Sequence, residues 1–278
     1  MDIGVTMFST DYSMRIDDLA REVEARGFES LFVPEHTHIP TSRRSPFGGG
    51  AELPKEYWHT VDPFVGLMAA AAVTKKLKVG TGICLIIERD TIVTAKAAAT
   101  LDMLSNGRFL FGIGAGWNAE EMENHGTDFK SRYRKMGEQV NAMKEIWTKD
   151  EPRFDGEFVR FDPIWSWPKP VQKPGPPILL GGESGHTLQR VVEFCEGWFP
   201  RGRAHDKILP GLNDLKARAA KAGRDMKTIS VNVFGAAADR AVLDTYRGAG
   251  ITRAIFRLPS ETRDKVLPLL DTYAKLLP

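Results

Sequence analysis

Glu35 and His36 are the first candidates for chemistry in this chain of 278 residues. They follow directly on a short apolar segment, Ser30–Val33, and Pro34. An imidazole titrates near neutrality, so His36 is the natural general acid or base, with Glu35 beside it as a second proton-holding group. A surface carboxylate and a loop imidazole would read the same way. His36 and His38 are also spaced like two metal ligands, the pattern of a metal-dependent hydrolase. A catalytic metal takes about three protein ligands, and His59, His125, His186 and His205 do not fall at other strand ends. No metal is therefore expected.

Four further segments could meet a ligand. Gly80-Thr81-Gly82-Ile83 ends an apolar strand; glycine there admits a flat ligand close to backbone, or simply a tight turn. Arg89 could clamp a carboxylate or phosphate, and Asp90 could cap the helix that follows. Gly112, Gly114 and Gly116 alternate as G-x-G-x-G, and no strand-ending acid follows about 20 residues later, so this is not a dinucleotide fingerprint. A strand end this bare suits a ring laid against backbone, with Trp117 as a wall and Asn118 as an amide. Gly181-Gly182-Glu183-Ser184-Gly185 leads into a helix, where backbone N–H groups and a hydroxyl make an anion site. Ser184 can cap its own helix at the same time. Arg201 and Arg203 add positive charge after the next strand.

The elements that must position these groups alternate along the chain. Strands are predicted at Ile3–Met7, Ser30–Val33, Lys78–Ile83, Arg108–Ile113, Ile178–Leu180, Gly197–Phe199, Ile229–Phe234 and Arg253–Leu258. Helical spacing follows each, for example Ile16, Leu19, Ala20 and Val23 ahead of Gly27, and Thr91–Leu104 ahead of Ser105-Asn106-Gly107. That alternation fits one (β/α)8 TIM barrel with loop insertions, a single domain over residues 1–278, better than an open doubly wound sheet. Ligands then belong at the carboxyl ends of the strands. Three insertions interrupt the pattern. Thr41–Thr60 holds Gly48-Gly49-Gly50, Tyr57 and Trp58 and is expected to act as a lid over an apolar ligand. Trp117–Ser131 is polar and reads as a loop. Asp150–Pro177 is rich in proline and aromatics, with a hairpin expected around Asp155-Gly156.

A net charge of +2 with 27% charged residues favours neither nucleic acid nor a membrane surface as partner. Cys84 and Cys195 sit in apolar surroundings and read as buried thiols in a reducing compartment. No membrane-length apolar run and no basic leader are present, so a cytoplasmic protein is expected.

Together these segments resemble the luciferase-like monooxygenase superfamily of flavin and deazaflavin (coenzyme F420) enzymes. Within it they are most similar to the actinobacterial probable F420-dependent oxidoreductases. The likeness covers essentially the whole chain. It runs through RGFESLFVPEH, DPFVGLMAAAAVT, KVGTG, AAATLDMLSNGRFLFGIGAGWNAEEM, WPKPVQKPGPPILLGGES and EGWFP. The resemblance implies a bacterial-luciferase-like TIM barrel, usually dimeric, and a non-proline cis peptide at Gly82-Ile83. It implies a coenzyme, F420 or alternatively FMN, across the strand ends. Glu35 and His36 would stand by the reactive ring and a small-molecule substrate. Gly82 and Ile83 would back the ring, Gly114, Ala115, Trp117 and Asn118 would line the middle, and Gly181, Gly182, Glu183 and Ser184 would hold the phosphate. The F420-reducing sugar-phosphate dehydrogenases of the superfamily carry a glutamate where this chain has Trp117, so their substrate does not carry over. The expected reaction is hydride transfer between F420 and a small organic substrate. The rival expectations are an FMN monooxygenase fed by a separate flavin reductase, a metal-dependent hydrolase on His36 and His38, and a coenzyme-binding barrel without catalysis.

Overall fold

The computed structural model describes residues 1–48 and 50–278. Gly49, the middle of the expected hinge, lies outside the described residues. The elements run β1 (Asp2–Thr6), α1 (Ile16–Ala25), β2 (Ser30–Val33), α2 (Glu56–His59), α3 (Pro63–Ala72), β3 (Lys78–Thr81), α4 (Thr91–Leu104), β4 (Phe109–Ile113), α5 (Ala119–Asn124) and α6 (Arg132–Thr148). A two-stranded hairpin, β5 (Phe154–Asp155) and β6 (Arg160–Phe161), follows. Then come β7 (Ile178–Gly181), α7 (Gly185–Phe194), β8 (Gly197–Phe199), α8 (His205–Lys221), β9 (Ser230–Phe234), α9 (Arg240–Ala249), β10 (Arg253–Arg257) and α10 (Arg263–Ala274).

Strands β1, β2, β3, β4, β7, β8, β9 and β10 close into a parallel barrel in that order, with β1 completing the ring against β10. This is the (β/α)8 architecture that the alternation predicted. Local chemistry accounts for its helices. Ile16, Leu19, Ala20 and Val23 recur on one face of α1 and are all buried. Asp90 caps α4 by accepting from the Val93 N–H at 2.8 Å. Gly27 and Gly250 follow α1 and α9 at φ +83 and +85, left-handed positions that glycine fills without a Cβ penalty. The LSNGR run is likewise structural. Arg108 donates to the carbonyl oxygens of Ala71 in the last turn of α3 and of Thr74 and Leu77 just past it, and Asp102 accepts from the backbone and side chain of Gln172.

The core has two layers. A large one lies between strands and helices. A smaller plug inside the barrel consists of Phe32, Leu110, Leu179, Phe199 and Ile255, with Ile83 and Phe234 packed on it. The plug explains the strand glycines differently from the sequence. A Cβ on Gly80 would lie 2.4 Å from the Phe32 ring, and one on Gly112 would lie 2.0 Å from the Thr81 carbonyl oxygen. These positions are bare because the barrel interior is filled to close packing. The plug forms the floor beneath the strand ends.

Two insertions depart from expectation. Trp117–Ser131 contains α5, whose Glu120, Glu121 and Met122 are buried. Thr41–Thr60 ends in the single turn α2. The expected hairpin forms, with Phe154 opposite Phe161.

Candidate active site

A cavity of about 620 Å³ opens at the carboxyl ends of the strands. Its floor includes Gly82, Ile83, Gly114 and Ala115, its rim Gly181, Gly182, Arg201 and Arg203, and its roof Phe47, Gly48, Tyr57 and Trp117. Met7, Phe8 and Arg257 close another side. The Gly82–Ile83 peptide bond is cis.

His36 is built into this cavity by a partner far away in sequence. Its Nδ1 lies 2.7 Å from Glu121 Oε2, and both side chains are buried. A carboxylate only accepts, so Nδ1 carries the proton and Nε2 is the ring atom left for a ligand. Nε2 has no hydrogen-bond partner among the described residues, and His36 lines the cavity. The other Glu121 oxygen accepts from the Thr37 N–H at 3.0 Å. Tyr57 and Trp117 pack against the imidazole with ring centroids 5.2 and 5.9 Å away. The arrangement is a carboxylate-oriented imidazole under an aromatic roof, a general acid/base geometry.

Glu35 is used differently. Oε1 accepts from Arg89 Nε at 2.6 Å and Oε2 from the Leu85 N–H at 2.7 Å. Arg89 continues to Asp62, which caps α3. The carboxylate that Arg89 was expected to clamp is thus internal. Glu35 is a fixed anchor beneath the site, with both oxygens committed.

The roof is tied down by Glu120. Its carboxylate accepts from Ser42 Oγ and from the N–H groups of Arg44 and Ser45, at 2.8, 2.6 and 2.8 Å. Burial alone would raise its pKa, but these donors pull it down to about 2. Phe47 and Tyr57 line the cavity, whereas Trp58, expected to join them, is 49% exposed. Replacing Glu120 with alanine leaves three donors unmatched. Amide exchange in peptides from residues 41–60 should then quicken roughly tenfold or more, the equivalent of ~1.4 kcal/mol of opening free energy. Unchanged exchange would show that something else holds the roof.

At the rim, Ser184 caps α7 by accepting from the Thr187 N–H at 3.1 Å. Glu183 is ion-paired with Arg201, which donates from Nε at 2.9 Å and from its second guanidinium nitrogen at 2.5 Å. The first N–H groups of α7, on Gly185 and His186, have no acceptor among the described residues. Arg203 has no carboxylate partner among them either, and it lines the cavity. Unmatched donors at a helix start beside two guanidinium groups suit the phosphate of a bound coenzyme. Asn118 lies under the site and caps α5 through Oδ1.

The model of the luciferase-like monooxygenase family matches residues 9–256. The chain belongs to that family. An uncharacterized protein of Mycobacterium tuberculosis is 36% identical over 283 residues, covering 100% of this chain and 99% of its own length. The FMNH(2)-dependent dimethylsulfone monooxygenase of Pseudomonas putida is 35% identical over 246 residues, 86% of this chain and 62% of the relative. Among solved structures, the coenzyme F420-dependent tetrahydromethanopterin reductase of Methanopyrus kandleri superposes with a TM-score of 0.76 at 15% identity, covering 99% and 98% of the two chains. That likeness is one of fold.

In this luciferase-like chain the structure brings His36, Gly82, Ile83, Gly114, Ala115, Trp117, Gly181 and Gly182 around one cavity. Glu35 also borders it, while Asn118, Glu183 and Ser184 stand behind it as caps and ion-pair partners. Glu121 and Glu120 were missed from sequence. The run Asn118-Ala-Glu-Glu is a helix-start signature, so α5 itself was detectable, though its burial was not. His36 and His38 do not converge. His38 pairs with Thr37 and Asn124, and among the described residues no three His, Cys, Asp or Glu side chains are grouped to hold a metal ion. Cys84 and Cys195 are free and buried. Among the described residues no helix is long and apolar enough to cross a membrane.

Proposed function

We propose that this luciferase-like protein is an F420-dependent oxidoreductase, moving a hydride between the deazaflavin and a small organic substrate. The observation that carries the reading is the His36–Glu121 pair, with Nε2 left available in a cavity that has a glycine-bearing floor and a cationic rim. The coenzyme supplies the hydride chemistry when bound. The chain supplies the rest. Nε2 of His36 takes the proton of a substrate hydroxyl, or returns one to a carbonyl oxygen in the opposite direction. Glu121 holds the ring in orientation and balances its charge while it is protonated. The side chains of Phe8, Phe47, Tyr57 and Trp117 shed water from the reacting atoms. Ile83 and Gly114 present a flat surface to a ring, and Arg201, Arg203 and the start of α7 receive the acidic tail. F420 carries carboxylates beyond its phosphate, which suits a rim whose Arg203 has no carboxylate partner among the described residues.

The resemblance to an FMNH(2)-dependent monooxygenase at 35% identity supports a second reading, an FMN enzyme fed by a separate reductase. Fluorescence titration of the purified apoprotein with F420 and, in parallel, FMN separates the two. F420 should bind at least tenfold more tightly, a difference of about 1.4 kcal/mol. The reverse order would move the protein to the second reading. Binding of neither would overturn both.

A further inference from the structure

Glu88 lies in the single 3-10 turn Ile86–Glu88, between β3 and α4, and is only 6% exposed. Neither of its side-chain oxygens meets a donor among the described residues. The candidates nearby are all committed elsewhere. Arg89 serves Glu35 and Asp62. Lys135 of α6 donates to the Ile87 carbonyl oxygen at 2.9 Å and to Thr127 Oγ1 at 2.6 Å. Gln139 of α6 donates to the carbonyl oxygens of Ile86 and Arg89. These bonds fix the turn that carries Glu88 without satisfying the carboxyl group.

A buried carboxylate with no donor is untenable, whereas a buried carboxylic acid can be the donor itself. What faces Glu88 is another acid. Glu121 of α5 and Glu35 beyond β2 act on it as negative charges, and the positive groups are Arg89 and Lys135. Gly116, at φ +62, passes directly over the group; a Cβ there would lie 3.9 Å from one Glu88 oxygen. Glu88 is thus enclosed between the turn and the loop that carries Trp117, with Glu121 as its available acceptor.

We propose that Glu88 is a positioning residue: its carboxyl O–H donates to Glu121, and that bond holds the Glu121 carboxylate against His36. The role rests on the reading of His36 as the acid/base group. A chain Glu88–Glu121–His36 would then orient Nδ1–H and leave Nε2 to the substrate. Burial first, and then the negative charges of Glu121 and Glu35, push the Glu88 pKa up to about 9. The group is neutral in the folded protein at pH 7, as the donor role requires. A raised folded pKa contributes stability that is complete below the ordinary value of 4.5 and is lost as pH climbs through the folded value. Ionisation near pH 9 would also place two carboxylates together and break the chain.

The test needs neither coenzyme nor substrate. Nitrogen-15 NMR of histidine-labelled apoprotein reads the tautomer of His36 and the exchange of its Nδ1 proton. Wild type should show a protonated, slowly exchanging Nδ1 at neutral pH and lose that protection above about pH 9. Glu88→Gln, whose amide can still donate, should keep the protection at both pH values. Glu88→Leu should lose it at both, with exchange at least tenfold faster. Protection in folded Glu88→Leu equal to wild type would overturn the proposal. If Glu88→Leu does not fold, the comparison of wild type with Glu88→Gln still decides, because equal loss of protection in both above about pH 9 would also overturn it. Failure of F420 to bind would strike the functional reading and leave this result standing.

Discussion

Replacing His36 with alanine should lower turnover by ~10²–10⁴-fold, the usual contribution of a positioned general acid/base, while coenzyme affinity stays within about threefold. The expectation follows from where the ring sits. His36 lines the cavity and its Nδ1 is bound by Glu121, so a substrate there would meet Nε2, and the variant loses the only imidazole that borders that space among the described residues. The rim proposed to receive an acidic tail follows β7 and β8 and includes the start of α7, well separated in the chain from residue 36, which is why binding and turnover should part company. Glu121→Gln keeps the shape of the buried carboxylate but removes the charge that stabilises a protonated ring, so its turnover should also fall while its fold holds. The measurement is kcat from F420 bleaching with the substrate a screen provides, set beside a fluorescence Kd for each variant. Turnover of His36→Ala close to wild type would remove His36 from the chemistry.

The largest effect on stability is expected at the opposite end of the barrel. Arg253 opens β10 and is 4% exposed. It donates from Nε to Glu29 at 2.6 Å and also bonds Asn232 of β9, so one guanidinium ties the segment before β2 to β9 and β10. Arg253→Ala removes the buried partner of Glu29 and leaves it, 21% exposed, with Lys78 at 2.8 Å, so the loss should fall at or below the roughly 3–5 kcal/mol typical of breaking a buried ion pair. The pH dependence carries a clear sign. Burial opposes ionisation of Glu29, but Arg253 and Lys78 overcome it and bring its pKa down to about 2. A depressed folded value contributes stability above the ordinary 4.5 that is lost as pH falls toward 2. The gap between wild type and Arg253→Ala in urea denaturation should therefore be widest near neutrality and narrow below about pH 4. A gap under about 1 kcal/mol at pH 7 would mean that the pair closes nothing.

These two regions show how differently the sequence speaks about fold and about site. The strand–helix alternation, the caps at Asp90 and Ser184 and the stops at Gly27 and Asn106-Gly107 were legible because each depends on a few neighbouring residues. Hydrophobic period, hydroxyl or carboxylate capping and positive φ are local properties. Strand-end residues such as His36, Gly82, Gly114 and Gly181 could be placed for the same reason, since in a parallel barrel the end of a strand is itself the address of the site.

What surrounds those residues was decided by the closed barrel alone. His36 and Glu121 are 85 positions apart, and AEEMEN reads as part of a polar loop until α5 is laid beneath the roof. Arg89 could equally have met a ligand, and only the approach of Glu35 and Asp62 turns it inward. The strand glycines were legible as bare backbone, but the aromatic plug that requires them comes from strands distant in sequence. Charge pairing and packing across a barrel leave no period in the chain, because they depend on which side chains closure brings within a few ångströms. Local residue types mark where chemistry could sit; closure of the barrel selects which carboxylates are spent on structure and which one orients the imidazole.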